Sequence, residues 1–301
     1  MGILPMSRRA ISDAQRRCGL GPAATDETPV ILMGGTPMLL TAGRRHKEMD
    51  GEGMDKEVDA VQKKIVTQIG SLPYDDVEQA VEYSLRHDIP FLPELPKLGD
   101  AMLEYAKQPG RLSCLRRFQE RVAGLDTVKV QCIGPATLIL SGYSEDEAIS
   151  RAYQHISAIL DGLQARQVIL FLDEPALGQV GFDYQRLWSA LFESFPVTPG
   201  VHVCGNMNWD DLFRSGVEII SFDASKYDIT KYPAYRNGKR IAWGVQSREN
   251  VKDFRDGDLL TLPCGMGPKS YTPDDCDARL RRLLEIANSF HTQRSVPAMA
   301  P

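Results

Sequence analysis

The strongest constraint on what this chain can fold into is a repeated alternation. From Lys64 onward, short apolar runs at 65–69, 89–92, 128–133, 168–172, 201–203, 218–222, 240–245 and 259–262 alternate with longer stretches. Most of these stretches carry a helical pattern, at 74–86, 99–107, 145–165, 183–195, 208–214 and 272–290. Eight apolar runs of strand length with helix-length connections between them predict an α/β fold, a parallel sheet closed into a (β/α)8 TIM barrel. Almost every run ends in polar, glycine or proline residues, such as Gly70-Ser71, Pro93-Glu94, Asp173-Glu174-Pro175, Cys204-Gly205-Asn206, Asp223-Ala224-Ser225 and Cys264-Gly265. In an α/β barrel such strand ends converge on one mouth, where the active site is built.

Composition narrows the function classes. With 301 residues, 43% hydrophobic and 25% charged, the chain has the balance of a globular protein with a sizeable core. The net charge of −5, with no Lys/Arg block longer than two, argues against nucleic acid as a partner. No run of 18 apolar residues exists to span a membrane, and the uncharged stretch 28–43 is broken by Pro29, Gly34, Gly35 and Pro37. Six irregularly spaced cysteines, at 18, 114, 132, 204, 264 and 276, form no disulfide framework and suit a reducing cytoplasm. Residues 1–54 show scattered Gly and Pro and no sustained period, so they are expected to be a disordered extension, with Met49 and Met54 as alternative starts. Residues 55–301 would then be the barrel. Deleting the extension is expected to leave the melting temperature unchanged; a loss of several degrees would show that it packs.

His202-Val203-Cys204 is the sharpest chemical signal. On a strand, residues i and i+2 point to the same side, so an imidazole and a thiol converge on the mouth. Zinc takes both ligand types, although a lone His-x-Cys is more often a packed pair. Cys264, at the end of the last run, adds a third donor, and Asp223, ending the sixth, could add a labile carboxylate. Three ligands on barrel ends leave a position open, as a catalytic zinc requires. The other cysteines read as packing residues, and His46, His87, His155 and His291 lie away from strand ends. Asp173 and Glu174 could cap the following helix, or clamp a substrate ammonium together with Glu94. Gly70-Ser71 could cradle a carboxylate or simply make a tight turn.

Ile69-Gly70-Ser71-Leu72-Pro73, Asp173-Glu174-Pro175-Ala176-Leu177, His202-Val203-Cys204-Gly205-Asn206 and Pro263-Cys264-Gly265 occur in one order. In that order and register they resemble the catalytic domain of cobalamin-independent methionine synthase, over about residues 64–290. The likeness is to short, single-barrel members of the methionine synthase and uroporphyrinogen decarboxylase superfamily. It implies a cytoplasmic methyltransferase of methionine biosynthesis, with zinc on His202, Cys204 and Cys264 and with Asp223 where the full-length family has Glu. It implies further that Ile69 and Ser71 hold the carboxylate of homocysteine, that Glu94 and Asp173 hold its ammonium, and that the thiol is methylated as a zinc thiolate. One departure bears on the methyl donor. The full-length family carries a histidine after the seventh strand, associated with protonating folate; here the place reads Gly244-Val245-Gln246-Ser247-Arg248. The likeness also omits the family's long N-terminal half, part of its folate surface. The expected donor is therefore a methylcorrinoid protein rather than methyl-tetrahydrofolate. A thiol other than homocysteine would need a cationic contact such as Arg248 or Lys269. Two rival readings are a uroporphyrinogen decarboxylase-like enzyme, in which the His/Cys set has no task, and a non-catalytic zinc- or thiol-binding module.

Overall fold

Six of the apolar runs become strands because β-branched and aromatic residues fill them and both of their faces find cover. These are β1 (Thr127–Ile133), β2 (Gln167–Asp173), β3 (Thr198–Val203), β4 (Ile219–Asp223), β5 (Arg240–Gly244) and β6 (Leu259–Thr261). They pair in sequential order, all parallel, in one sheet. The computed structural model describes residues 65–179 and 181–292, which belong to one compact unit. The expected disordered extension 1–54, with Cys18, His46, Met49 and Met54, lies outside the described residues, as does the His291 side chain.

Helices α1 (Val77–Leu85), α2 (Met102–Lys107) and α3 (Leu115–Val122) precede β1. Helices α4 (Pro135–Leu140) and α5 (Glu145–Leu160) join β1 to β2, α6 (Tyr184–Phe192) joins β2 to β3, and α7 (Trp209–Arg214) joins β3 to β4. Helix α8 (Pro273–Thr292) follows β6. Their starts follow capping chemistry. Ser144 and Glu147 close a reciprocal capping box on α5, and Glu145 and Asp146 add negative charge where the helix dipole is positive.

The sheet corrects the sequence expectation. It has six strands and forms an α/β half-barrel, not the eight-stranded (β/α)8 TIM barrel. Segments 65–69 and 89–92 make only isolated bridges rather than continuous strands, because some of their backbone groups are engaged by side chains and one N–H is missing. The Asp88 carboxylate accepts from the N–H groups of Ile65 (3.2 Å) and Val66 (3.0 Å), the Thr67 hydroxyl donates to the Ile89 carbonyl (2.9 Å), and Pro90 has no N–H. Isolated parallel bridges remain: Val66 with Leu260, Ser71 with Glu94, and Phe91 with Lys129.

Two apolar layers hold the unit together. The inner face of the sheet gathers Ile69, Ile89, Ile169, Phe171, Ile219, Ala242 and Leu259. The outer face packs against the helices through a larger cluster that includes Trp188, Trp209 and Trp243. Gly200 is required where β3 crosses Phe171, since a Cβ there would land on the ring. Gly200→Ala is therefore expected to cost about 1–3 kcal/mol through overpacking, read as a lower denaturant midpoint.

Two buried histidines belong to this scaffold rather than to the chemistry. His87 bonds Gln68 and the Tyr83 and Ser84 carbonyls, and His155 stacks on Tyr105 at 4.3 Å while accepting the Gly110 N–H. Burial pushes both from the ordinary 6.5 down to about 4. Each therefore contributes stability that is complete above pH 6.5 and lost as pH falls through about 4. Their imidazole proton resonances are expected to titrate near pH 4; midpoints near 6.5 would show that the rings reach water.

Candidate functional site

The register of the sheet sets the first part of the site. His202 on β3 lies beside Asp173 on β2 and Ser221 on β4. Ser221 Oγ sits 3.0 Å from His202 Nδ1, which orients the ring and leaves Nε2 facing Cys204 Sγ at 3.2 Å. Cys264 arrives in the loop after β6, with its sulfur 3.6 Å from that of Cys204. Gly265 lets this loop lie against Ser71: a Cβ would come within 2.7 Å of the Ser71 Cβ, and the Met266 N–H donates to the Ser71 carbonyl (2.6 Å).

The three donor atoms of His202, Cys204 and Cys264 lie within 4.8 Å of one another. Zinc–sulfur bonds of about 2.3 Å and zinc–nitrogen bonds of about 2.0 Å, at tetrahedral angles, put ligand atoms about 3.5–3.8 Å apart. The sulfur–sulfur separation of 3.6 Å falls in that range and the 3.2 Å from His202 to Cys204 lies just below it, and two sulfurs with one imidazole suit a borderline-soft metal. Hydrogen bonding to Cys204, together with the neighbouring His202, holds the Cys264 thiol well below its ordinary range despite burial. Asp223 is not brought to this group. Its Oδ1 accepts the Ser225 N–H (3.0 Å) and its Oδ2 pairs with Lys226 Nζ at 2.8 Å, so the turn after β4 takes up the carboxylate.

A cavity of about 260 Å³ opens beside the three donors, and Ile69, Ser71, Glu94, Gln131 and Asp173 line it with them. Pro96, Met102, Pro268, Lys269 and Tyr271 complete its wall. Glu94 and Asp173 are fully buried, and Glu94 Oε1 and Asp173 Oδ1 have no hydrogen-bond partner among the described residues. Burial pushes both carboxyls up, Asp173 to about 6 and Glu94 well above the carboxylate range, where the Asp173 charge acts in the same sense. Two such oxygens in one cavity are suited to a cation. Arg248 is not available to a substrate here, since its guanidinium lies 3.7 Å over the Phe290 ring and donates to the Val251 carbonyl. Lys269 does line the cavity.

Glu174, adjacent to Asp173, does something else. Its carboxylate accepts from the Ala136 N–H (3.0 Å), the Thr137 N–H (2.7 Å), the Thr137 hydroxyl (2.6 Å) and the Trp188 indole N–H (2.9 Å). It caps α4, the helix before its strand, rather than the connection after it.

Three residues in or beside the site had gone unremarked in the sequence: Ser221, Gln131 and Lys129. The last two sit at alternate positions of the otherwise apolar run 128–133, a period-2 signal that places both on the inner face. Lys129 Nζ donates to Gln131 Oε1 (2.7 Å), and Gln131 Nε2 donates to Asp173 Oδ2 (2.9 Å).

No family model matches the chain, and no curated protein matches it in sequence. Among solved structures it is similar to a methyltransferase from Methanosarcina mazei, at 14% identity and a TM-score of 0.46, over 59% of this chain and 63% of that one. The chain thus spans less than two thirds of that protein. A likeness of this size says nothing about metal, substrate or donor, which rest on the geometry above. No helix among the described residues is long and apolar enough to cross a membrane.

Proposed function

We propose that the chain is a zinc-dependent methyltransferase that methylates a thiol, homocysteine, with a methylcorrinoid protein as donor. One observation carries the reading: two sulfurs and an imidazole nitrogen within 4.8 Å line the same small cavity as two buried carboxylates with unpartnered oxygens. His202, Cys204 and Cys264 would hold the zinc. When bound, it would keep a substrate thiol deprotonated at neutral pH. Glu94 and Asp173 bind the substrate ammonium, which gives their unpartnered oxygens a charge-assisted donor. Ser71 offers its hydroxyl to the substrate carboxylate, Ile69 walls the carbon chain, and Lys269 adds a cation to that wall. In the reaction a carbon–sulfur bond forms as the bond between methyl and donor breaks. The electron pair of the broken bond stays with the donor, and the thiol proton goes to solvent.

The donor assignment is supported by the segment after β5. Folate N5 leaves poorly unless protonated, and Gln246-Ser247-Arg248 supplies no imidazole. The backbone N–H groups of Gln246 and Ser247 are tied to Asn250, and Arg248 is held on Phe290. A methylcorrinoid needs no such proton, because its cobalt leaves as a stable reduced ion. The test supplies zinc-loaded protein with homocysteine and either methylcobalamin or methyl-tetrahydrofolate and measures methionine. Methionine is expected with methylcobalamin. Faster turnover with methyl-tetrahydrofolate in the absence of corrinoid would overturn the donor, and no methionine from either would overturn the reaction.

A further inference from the structure

Lys129 and Gln131 have no role in the function proposed above, yet Gln131 lines its cavity and is bonded by Lys129 behind it. Lys129 is fully buried and, among the described residues, forms no ion pair; its ammonium donates to Gln131 Oε1 (2.7 Å) and lies 4.8 Å over the Phe171 ring. A buried cation is costly, and this one is offset by the Asp173 and Glu94 charges, which act on it without a direct contact. Its effect falls on Gln131. The Gln131 Oε1 accepts a second bond, from the Gly70 N–H (2.7 Å). An ammonium is a donor only, as is an N–H, so the amide oxygen must face both and the amide cannot turn over. Gln131 Nε2 is thereby forced toward the carboxylates. It donates to Asp173 Oδ2 at 2.9 Å, and the same amide helps hold the neighbouring Glu94 carboxyl lower than burial alone would. Asp173 then has one oxygen held and one buried oxygen without a partner, Oδ1, and beside it Glu94 Oε1 is likewise buried without one, in residues that line the cavity.

We infer that Gln131, locked in orientation by Lys129 and the Gly70 N–H, is the positioning residue that holds the Asp173 carboxylate beside Glu94 for a substrate ammonium and so makes the pocket select amino-thiols over thiols without the amine. This rests on the amino-thiol reading of the site, and the experiment separates the two. Zinc-loaded protein is titrated calorimetrically with homocysteine and with 4-mercaptobutanoate, which keeps the thiol and carboxylate and lacks only the amine. The wild type is expected to prefer homocysteine by at least about tenfold, the size of a charge-assisted hydrogen bond. Gln131→Met is expected to bring the two affinities within about threefold by weakening homocysteine more than 4-mercaptobutanoate, because the ammonium contact is lost for homocysteine alone while the freed Gly70 N–H and Lys129 ammonium affect both thiols alike. Lys129→Met is expected to narrow the preference by less, since the amide loses one of the two donors that fix its oxygen and keeps the Gly70 N–H. If Lys129→Met does not fold, Gln131→Met decides alone, with zinc content as the check that its site is intact. Variants that keep the wild-type preference, or that weaken both thiols equally as a merely structural lesion would, overturn the inference while the amino-thiol reading stands. A wild type with no preference removes that reading, and the inference with it.

Discussion

Purified protein is expected to carry one zinc per chain, and Cys204→Ser and Cys264→Ser are each expected to lose most of it. A serine hydroxyl is neutral at pH 7 and a poor zinc ligand, so either change leaves two donors where three lie within 4.8 Å. Methyl transfer should fall with the metal. Cys132→Ser is the control: Cys132 is buried mid-strand, with its thiol on the Ile133 carbonyl (3.2 Å) and no place in the donor group. It should destabilise the protein yet keep the zinc. Ser221→Ala occupies the middle ground. It removes the partner that orients His202, and such a loss weakens metal binding about 10- to 100-fold without abolishing it. Elemental analysis of the dialysed proteins decides the matter, and full occupancy in both cysteine variants would sink the site assignment.

The largest effect on stability is expected from Glu174→Ala. The substitution strands four buried donors at once: two N–H groups at the start of α4, the Thr137 hydroxyl and the Trp188 indole. Emptying a buried, charge-assisted network of that size costs about 3–5 kcal/mol. For a unit of this length that is a fall of about 10 °C in melting temperature. Glu174→Gln should lose less, because one amide oxygen can still accept while its nitrogen meets donors. A fall under about 2 °C for Glu174→Ala would show that water replaces the carboxylate without penalty.

How much of the fold and the site was legible in the sequence depends on the range of the interaction. Runs 128–133, 168–172 and 218–222 lie within a residue or two of β1, β2 and β4, because strand period and burial are local properties. The approach of His202 and Cys204 follows from the same period. The failures share a cause, a polar side chain competing for a partner. Asp88 takes two of the N–H groups of segment 65–69, those of Ile65 and Val66, and Lys226 takes the Asp223 carboxylate three residues away. Glu174 reads locally as a cap for the connection after β2, yet its helix is reached across the sheet. The Lys129 and Gln131 pair was legible, since polar residues alternating in an apolar run have only the inner face to occupy.

The isolated bridges have a consequence for the newly made chain. The outermost strands of a sheet expose unpaired backbone groups that can recruit other chains into aggregates. Here the Lys129 N–H donates to the Pro90 carbonyl while its carbonyl accepts from Leu92, and Leu260 exchanges bonds with Ile65 and Thr67. Both borders are thus occupied by segments that lie earlier in the chain. Because synthesis runs from the N-terminus, the segment that masks β1 leaves the ribosome before β1 itself, and the one that masks β6 is already waiting when β6 appears. The border at β1 can therefore be covered from the moment that strand forms, and the border at β6 as soon as it appears, so that only the growing edge between them stands open during synthesis.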